Sequence, residues 1–363
     1  MPIVSKRCAS LSSRSGQVAL VWYLHQPWCI DDGDVHDFVR ETLSHILAIH
    51  RDTSTPVTLA ITGALLDRLV RIAPGQIAEM ASLVESGLGE IAGTFYHEAF
   101  PHFLEPGRIL SHIRRDSTLK HSLFGRSPRG FFPANLAWTP ALGPILAREG
   151  FQRVILDGPH LPLAGAMQGW KWDALGPTAP LHPAALPSSA IQRLWTLHGE
   201  DGPLLDVVFR DVQAVNAVSF GDAGAIHRPF DAEAQRHAMN SLHPRQGIVA
   251  LADDADRVNS VSVVAYRRLL AGCDAEFARL GDLCGERRGR LDHLPGYAIG
   301  DIGKFWLSGP DGHHWLKVLD EVHRRHPDPD DPEVMSLHDV YPLFWRCHWR
   351  TRRFWEKALG LLR

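Results

Sequence analysis

The stretch VALVWYLHQP, residues 18–27, decides the predicted fold of this chain. Its continuous apolar run has the length and the β-branched content of a strand that is buried on both faces of a parallel sheet. His25, Gln26 and Pro27 follow at the point where that strand should end. Barrels and open α/β sheets build their functional sites at the carboxyl ends of strands, so this segment is also the first candidate site.

Short apolar runs alternate with amphipathic stretches up to about residue 275. Residues 57–61 have the pattern of a strand, and Leu65, Leu66 and Leu69 follow at helical spacing. Residues 140–149 predict a helix in the same way, and the next apolar run predicts another strand. Repeated units of this kind imply crossover connections and a parallel sheet, and their number favours a closed barrel over an open sheet.

Two regions depart from this alternation. Residues 157–187 are rich in Pro and Gly and have neither a helical nor a strand period, so they predict a long loop over the barrel face. Beyond residue 275 three segments have helical patterns: residues 276–288, 312–325 and 341–362. We therefore predict a barrel over residues 15–275 and a C-terminal helical region over residues 276–363.

The composition excludes several classes of function. The 38 Lys and Arg residues are balanced by 41 Asp and Glu residues, which argues against a nucleic-acid partner. No apolar run approaches the ~20 residues that span a membrane. Five scattered cysteines argue against a disulfide framework and favour a reducing compartment, so a cytoplasmic protein is expected. The 11 Trp residues suit the apolar faces of sugars.

Several segments resemble the conserved regions of glycoside hydrolase family 57, in the order in which that family has them. Residues 25–27 resemble the first region, and GEIAGTFYH, residues 89–97, resembles the second. GFFPANL, residues 130–136, resembles the third, and residues 250–256 resemble the fourth. Further similarity at residues 205–220 and 305–319 extends the resemblance over nearly the whole chain.

The resemblance implies an α/β fold, namely an incomplete (β/α)7 barrel followed by a C-terminal helical region. It also implies a carbohydrate partner, an α-glucan or a related α-linked oligosaccharide, and no cofactor. Family members use a retaining mechanism, in which a Glu of the third region attacks the anomeric carbon and an Asp of the fourth region protonates the leaving oxygen. Such a reaction needs two carboxyl groups about 5 Å apart.

The third region departs from the family at the residue that should be the nucleophile. Asn135 stands there, and residues 130–143 contain no acidic residue. Because an amide carries no negative charge, we expect the ordinary double displacement to be lost. In the fourth region Asp254 matches the acid/base, with Asp256 in place of the neighbouring Glu, and repulsion within this acidic run should raise a pKa. The same run could also be a solvated turn that caps the next helix.

Three explanations of Asn135 remain open in the sequence, and with them whether the protein is an enzyme. The protein could be a catalytically inactive, sugar-binding or scaffold relative. Catalysis could instead be rebuilt as glycosidase or transglycosidase chemistry, with Asp254 as acid and Glu98 as base. A water between those carboxylates needs a separation of about 6.5–9.5 Å. Finally, the substrate could supply its own nucleophile, as an acetamido sugar can.

The remaining candidate sugar contacts lie at predicted strand ends or are aromatic. They are His25, Gln26, Glu90, His97, Arg210, Trp22, Trp138, Trp306 and Trp349. Each Trp could equally fill the core, and Arg210 could simply form an ion pair at its strand end. A metal-dependent hydrolase on a related barrel is the alternative from another class. The 21 His residues show no metal-binding spacing at a strand end, so no metal is expected. The oligomeric state stays open.

Overall fold

A computed structural model of the protein describes residues 16–162, 188–215, 217–218, 247–260, 262–273, 275–284, 288–298, 310–340 and 349–363. The strands within these residues are β1 Gln17–Leu24, β2 Val57–Ile61, β3 Gly89–Ile91, β4 Gly130–Phe131, β5 Arg153–Asp157, β6 Leu194–Gly199, β7 Gly202–Arg210, β8 Ile248–Asp254, β9 Glu276–Ala278 and β10 Arg288–Leu291. The α-helices are α1 Asp32–Phe38, α2 Ser44–Thr53, α3 Gly63–Ile72, α4 Pro74–Glu85, α5 Pro106–Phe124, α6 Leu142–Arg148, α7 Ser188–Ile191, α8 Val212–Val215, α9 Val263–Ala271, α10 Pro310–Arg325, α11 Pro332–Ser336 and α12 Trp349–Leu361.

Parallel strands form a nearly closed barrel. Going around it, β3 pairs with β2, β2 with β1, β1 with β8, β8 with β7, β7 with β5 and β5 with β4, all in parallel register. The junction between β3 and β4 consists of one parallel bridge, Gly93↔Phe131. Helices lie between most of these strands in the sequence, as crossover connections between parallel strands require. The predicted incomplete (β/α)7 barrel is confirmed.

Strands outside this ring extend the sheet. β6 is antiparallel to β7, β10 runs parallel to β6, and β9 pairs in parallel with the start of β1. The helix predicted over residues 276–288 is therefore wrong. Residues 276–278 form β9, and a single 3₁₀ turn, Leu280–Asp282, follows it. The backbone of this segment pairs with β1, and such pairing overrides a short apolar pattern that a helix and a buried strand share.

The core follows from the alternation of apolar side chains. In α3 the buried residues Leu65, Leu66 and Leu69 pack with the outward faces of β1 and β2 in one cluster. Pro74 begins α4 at its first turn, which is why the helical pattern is interrupted there. A separate cluster joins α10, α11 and α12 to Phe100 and Ala137, two residues that follow barrel strands. The C-terminal helices therefore pack at the carboxyl ends of the strands.

One of the described cysteines is oxidised. Cys284 is disulfide-bonded. One disulfide is not a framework, but it departs from the expectation of reduced cysteines, because sequence spacing does not show which cysteines the fold brings together. Within the described residues no helix has the length and the apolar character to cross a membrane.

Gly247 holds a backbone conformation that other residues avoid, and it immediately precedes β8. Its φ is +114°, and an added Cβ would collide with the carbonyl oxygen of Gln192. We expect Gly247→Ala to lower the free energy of unfolding by at least about 2 kcal/mol, since both backbone strain and overpacking oppose it. Denaturant unfolding measures this loss. Gly75→Ala is the matched control, because a Cβ there meets nothing within 4 Å; equal losses in the two variants would contradict the prediction.

Candidate functional site

Alternation along β1 determines which side chains face the barrel interior. Ala19, Val21 and Tyr23 belong to the cluster that fills the interior. The residues between them belong to the cluster that packs against the outer helices. His25 is the next residue in the inward series and therefore lies at the carboxyl end of the barrel.

The same alternation brings polar side chains from other strands to this end. In β8 the inward residues Ala250 and Ala252 are followed by Asp254. In β5 and β7 the inward series end in Asp157 and Arg210, which are opposite each other in register. Side chains that are far apart in the sequence thus meet at one end of the barrel, where sites of such folds are built.

Asn135 lies on a turn with an unusual backbone. Both Asn135, at φ 48° and ψ 31°, and Leu136, at φ 51°, are in the left-handed region. Asn tolerates this region, whereas a residue such as Leu pays about 1–2 kcal/mol for it. The turn aims the Asn135 amide at Glu98, and its Nδ2 donates a hydrogen bond of 2.6 Å to Glu98 Oε1. Strain of this kind is typical of functional sites.

Glu98 has a buried carboxyl group, and hydrogen bonds offset little of the free energy that its desolvation costs. It is 1% exposed, and its Oε2 has no hydrogen-bond partner among the described residues. Burial raises the pKa of Glu98 well above its usual value of 4.5, and the nearby charges of Asp339 and Asp254 raise it further. Glu98 therefore keeps its proton at pH values at which an exposed glutamate is ionised.

Asp339 reaches the site from the segment after α11. Its backbone forms an antiparallel bridge with Ala99, and the N–H of Val340 donates to the carbonyl oxygen of Glu98 at 3.0 Å. The Asp339 side chain is fully buried, with Oδ1 3.5 Å from Nε2 of His25. The other ring nitrogen of His25 lies 3.2 Å from the Thr62 hydroxyl. Protein groups thus flank both ring nitrogens of the predicted sugar contact His25.

Asp254 and Asp256 remain accessible at the end of β8. The surrounding protein still reduces their hydration, and this desolvation raises the pKa of Asp254, opposed by Arg257, Arg210 and His25. Desolvation raises the pKa of Asp256 to about 6, and the charge of Asp254 adds to the effect. Both predicted residues therefore lie at the site, and an accessible carboxyl with a raised pKa is suited to donating a proton.

Arg210 is held in place by a buried ion pair with Asp157. Its Nε lies 2.9 Å from Asp157 Oδ1, and the hydroxyl of Tyr297 donates to Oδ2 at 2.7 Å. The expected ion pair at the strand end is therefore present, and Arg210 also acts to lower the pKa of Asp254. The guanidinium group thus contributes positive charge beside the accessible carboxyl.

The other polar candidates divide between the site and its surroundings. His97 is buried next to Glu98, and burial lowers its pKa well below 6.5. Gln26 is half-buried beside His25. Glu90 lies away from the strand-end group, since it is the second residue of β3 and pairs with Thr58 near the start of β2. There it accepts hydrogen bonds from the Thr58 hydroxyl at 3.2 Å and from the Gly281 N–H at 2.7 Å.

The tryptophans need correction as sugar contacts. Trp22 occupies an outward position of β1, is fully buried, and donates its indole N–H to the Tyr266 hydroxyl at 2.9 Å. Trp138 is also fully buried, within the core beside α6. Neither ring can stack on a sugar in this arrangement. Trp306 lies outside the described residues, and Trp349 begins α12 with a side chain outside them.

Asp157 and Asp339 were not singled out from the sequence as site residues. Asp157 carried a usable signal, because it ends a predicted strand at an inward position. Asp339 carried none of this kind, since it follows a short C-terminal helix and meets His25 only through the tertiary fold. Among the residues with described positions, no group of three or more His, Cys, Asp or Glu side chains is arranged to hold a metal ion.

The sequence and the fold of this chain are both similar to those of known proteins. The sequence model of glycosyl hydrolase family 57 matches residues 36–263. The structure resembles the 4-α-glucanotransferase of Thermococcus litoralis, with a TM-score of 0.72 and 13% identity over 96% of this chain and 60% of that one. It also resembles the family 57 branching enzyme of Pyrococcus horikoshii, with a TM-score of 0.71 and 11% identity over 96% and 88% of the chains.

A curated relative is α-amylase 1 of Dictyoglomus thermophilum, 26% identical over 106 residues. That match covers 29% of this chain and 15% of the relative. The chain therefore spans less than two thirds of the length of this relative and of the T. litoralis structure. At these identities the solved structures establish the fold alone.

Proposed function

The chain belongs to glycosyl hydrolase family 57, and from this membership we propose that it recognises an α-linked glucan or a related oligosaccharide at the carboxyl end of its barrel. The names of its structural relatives, a glucanotransferase and a branching enzyme, support this class of ligand. The polar strand-end residues suit a sugar, since Asp254, Asp256 and Arg210 offer charged acceptors and donors for hydroxyl groups.

We further propose that the protein does not carry out the ordinary retaining double displacement. The hydrogen bond between Asn135 and Glu98 carries this proposal. Asn135 stands where the motif has its nucleophile, and the neighbouring carboxyl that could replace it is buried with a raised pKa. A neutral amide beside a protonated carboxyl offers no anion to attack the anomeric carbon. The conclusion is a carbohydrate-active protein that binds sugar without forming a glycosyl-enzyme intermediate.

Rebuilt catalysis is the second candidate, and the accessibility of Asp254 favours it. A carboxyl with a raised pKa can protonate the leaving oxygen of a glycosidic bond. Glu98 would then be the base that activates water, and only at pH values above its own raised pKa. This reaction would invert the anomeric configuration, so its product distinguishes it from the family's retaining reaction.

Substitution of Asn135 tests the proposal. We expect the native protein to bind maltoheptaose in calorimetry and to release no product with retained configuration. Asn135→Glu and Asn135→Asp should give a retaining hydrolysis rate at least about tenfold above the detection limit of the assay, because either supplies the missing anion. Asn135→Asp also suits the left-handed backbone. Asp254→Asn should abolish the gained activity, which NMR of the product anomers would measure.

Gln152→Glu is the matched control, since it adds the same charge at an exposed position before β5. It should change neither binding nor hydrolysis. Retaining hydrolysis by the native protein at rates ordinary for glycosidases would show that the interpretation of Asn135 is wrong. An inverted product from the native protein, lost in Asp254→Asn, would support the second candidate. Absence of maltoheptaose binding would contradict α-glucan recognition.

A further inference from the structure

Three histidines form a hydrogen-bonded chain behind the site. The backbone N–H of His97 donates to Nδ1 of the His112 ring at 3.4 Å. Nε2 of His112 lies 2.8 Å from Nδ1 of His338, and Nε2 of His338 lies 2.9 Å from Nε2 of His323. His112 and His338 are buried, whereas His323 on α10 is partly exposed. The chain thus runs from the surface to the residue beside Glu98.

The first donor sets the direction of the whole chain. A backbone N–H can only donate, so Nδ1 of His112 accepts and its Nε2 carries the proton. Nδ1 of His338 then accepts from His112, and Nε2–H of His338 donates to His323. Each ring must be neutral, because a second proton on any of them would place two N–H groups face to face. The chain also conducts no proton to the site, since a backbone N–H ends it.

The charges around the rings keep them neutral. Burial lowers the pKa of His112 to about 3 and that of His323 to about 4, and it lowers the pKa of His338 well below 6.5. Arg108 of α5 acts on all three rings, Arg115 of α5 acts on His112, and His97 acts on His338. These neighbours are cationic or become so in acid, and each opposes a further positive charge.

We propose that His112, His338 and His323 are positioning residues of the sugar site, an inference that rests on the proposed function. His97 and His338 each precede a carboxyl of the site, Glu98 and Asp339. The hydrogen-bonded histidines therefore hold the segments that contain Glu98 and Asp339 in register. In this register the Val340 N–H donates to the Glu98 carbonyl oxygen, and Asp339 lies beside His25. Protonation of His323 would break the outermost link and release the Asp339 segment.

The arrangement itself can be tested without a ligand. Long-range ¹⁵N NMR should show His112 and His338 protonated at Nε2 and His323 protonated at Nδ1. Hydrogen exchange of the Val340 amide at neutral pH should be at least about tenfold faster in His323→Ala, which removes an acceptor of the buried chain. His323→Gln keeps a neutral acceptor in place of Nε2 and should restore the protection. Nδ1–H on His338, or an unchanged Val340 amide in His323→Ala, would overturn the proposal.

Binding then tests the link to function. Because a ring with a pKa of about 4 is half protonated at pH 4, the maltoheptaose affinity of the native protein should fall about twofold more than that of His323→Gln between pH 7 and pH 4, over which circular dichroism should show a folded protein. Asp256, with a pKa of about 6, also titrates in this range and contributes equally in all the proteins compared, and His36→Gln, at an exposed histidine of α1, should match the native protein. Equal pH profiles in all three proteins would contradict the positioning role. If the native protein binds no maltoheptaose at either pH, the proposed function fails, and the NMR and exchange results still decide the positioning role.

Discussion

Lys120→Met is expected to lower the free energy of unfolding by about 3–5 kcal/mol, the usual loss when one partner of a buried ion pair is removed. Lys120 and Asp116 are both fully buried on α5, with Nζ 2.7 Å from Oδ2. Lys120 also donates to the carbonyl oxygen of Ala92 and to the Thr94 hydroxyl. Burial lowers the pKa of Lys120 and raises that of Asp116 to about 6, so each charge depends on the other.

Methionine keeps the length of the Lys120 side chain but leaves Asp116 without its cation. Denaturant unfolding at pH 7, followed by circular dichroism, measures the loss. Arg114→Met is the matched control, because it removes a largely exposed cation from the same helix and breaks an ion pair with Glu149. The control should change stability by less than ~1 kcal/mol. Equal changes in the two variants would show that the Lys120 pair is not a buried, desolvated pair.

His50 is expected to make the protein about 3 kcal/mol less stable at pH 4 than at pH 6.5. The ring is fully buried, with Nδ1 2.9 Å from the Thr55 carbonyl oxygen and Nε2 2.9 Å from the Tyr266 hydroxyl. Trp22 donates to that hydroxyl, so Tyr266 donates to His50, and the neutral ring is required. Burial lowers the pKa of His50 from 6.5 to about 4.

The sign follows from proton binding. Between pH 6.5 and about 4 the unfolded chain binds a proton at His50 that the folded chain does not bind. The stability contributed by this residue is therefore complete above pH 6.5 and is lost as the pH falls towards 4. Unfolding free energies at several pH values, compared between the native protein and His50→Gln, isolate it from other groups. The native curve should fall more steeply; parallel curves would contradict the prediction, and His36→Gln should match the native curve.

Much of the fold was predictable because strand alternation is a local property. The inward series of β1 ends in His25 whatever the rest of the chain does, and the same rule applies to Asp254 in β8. By the same rule Trp22 has an outward position, and it fills the core instead of contacting a sugar. The helix predicted over residues 276–288 is wrong for another reason. A short apolar pattern does not distinguish a helix from a strand when pairing with β1 is unknown.

The site was only partly predictable, because its geometry depends on contacts between distant segments. The identity of Asn135 was visible in the sequence, but its left-handed backbone and its bond to Glu98 were not. Burial raises the pKa of Glu98, and so does the charge of Asp339, which lies more than two hundred residues later in the sequence. The histidine chain likewise joins α5, α10 and the segment after α11, and no spacing along the sequence links these three elements.

The junction between β3 and β4 has one backbone bridge, and the hydrogen bond between Asn135 and Glu98 joins the segments that follow the same two strands. Gly93 and its partners contribute only two backbone hydrogen bonds there, Gly93 N–H to Gly130 and Phe132 N–H to Gly93, each 2.8 Å. Glu98 follows β3 and Asn135 follows β4, so the hydrogen bond between their side chains joins the segments beyond the carboxyl ends of these two strands. Asn135, at the predicted position of the nucleophile, thus adds a side-chain hydrogen bond across a junction that has one backbone bridge.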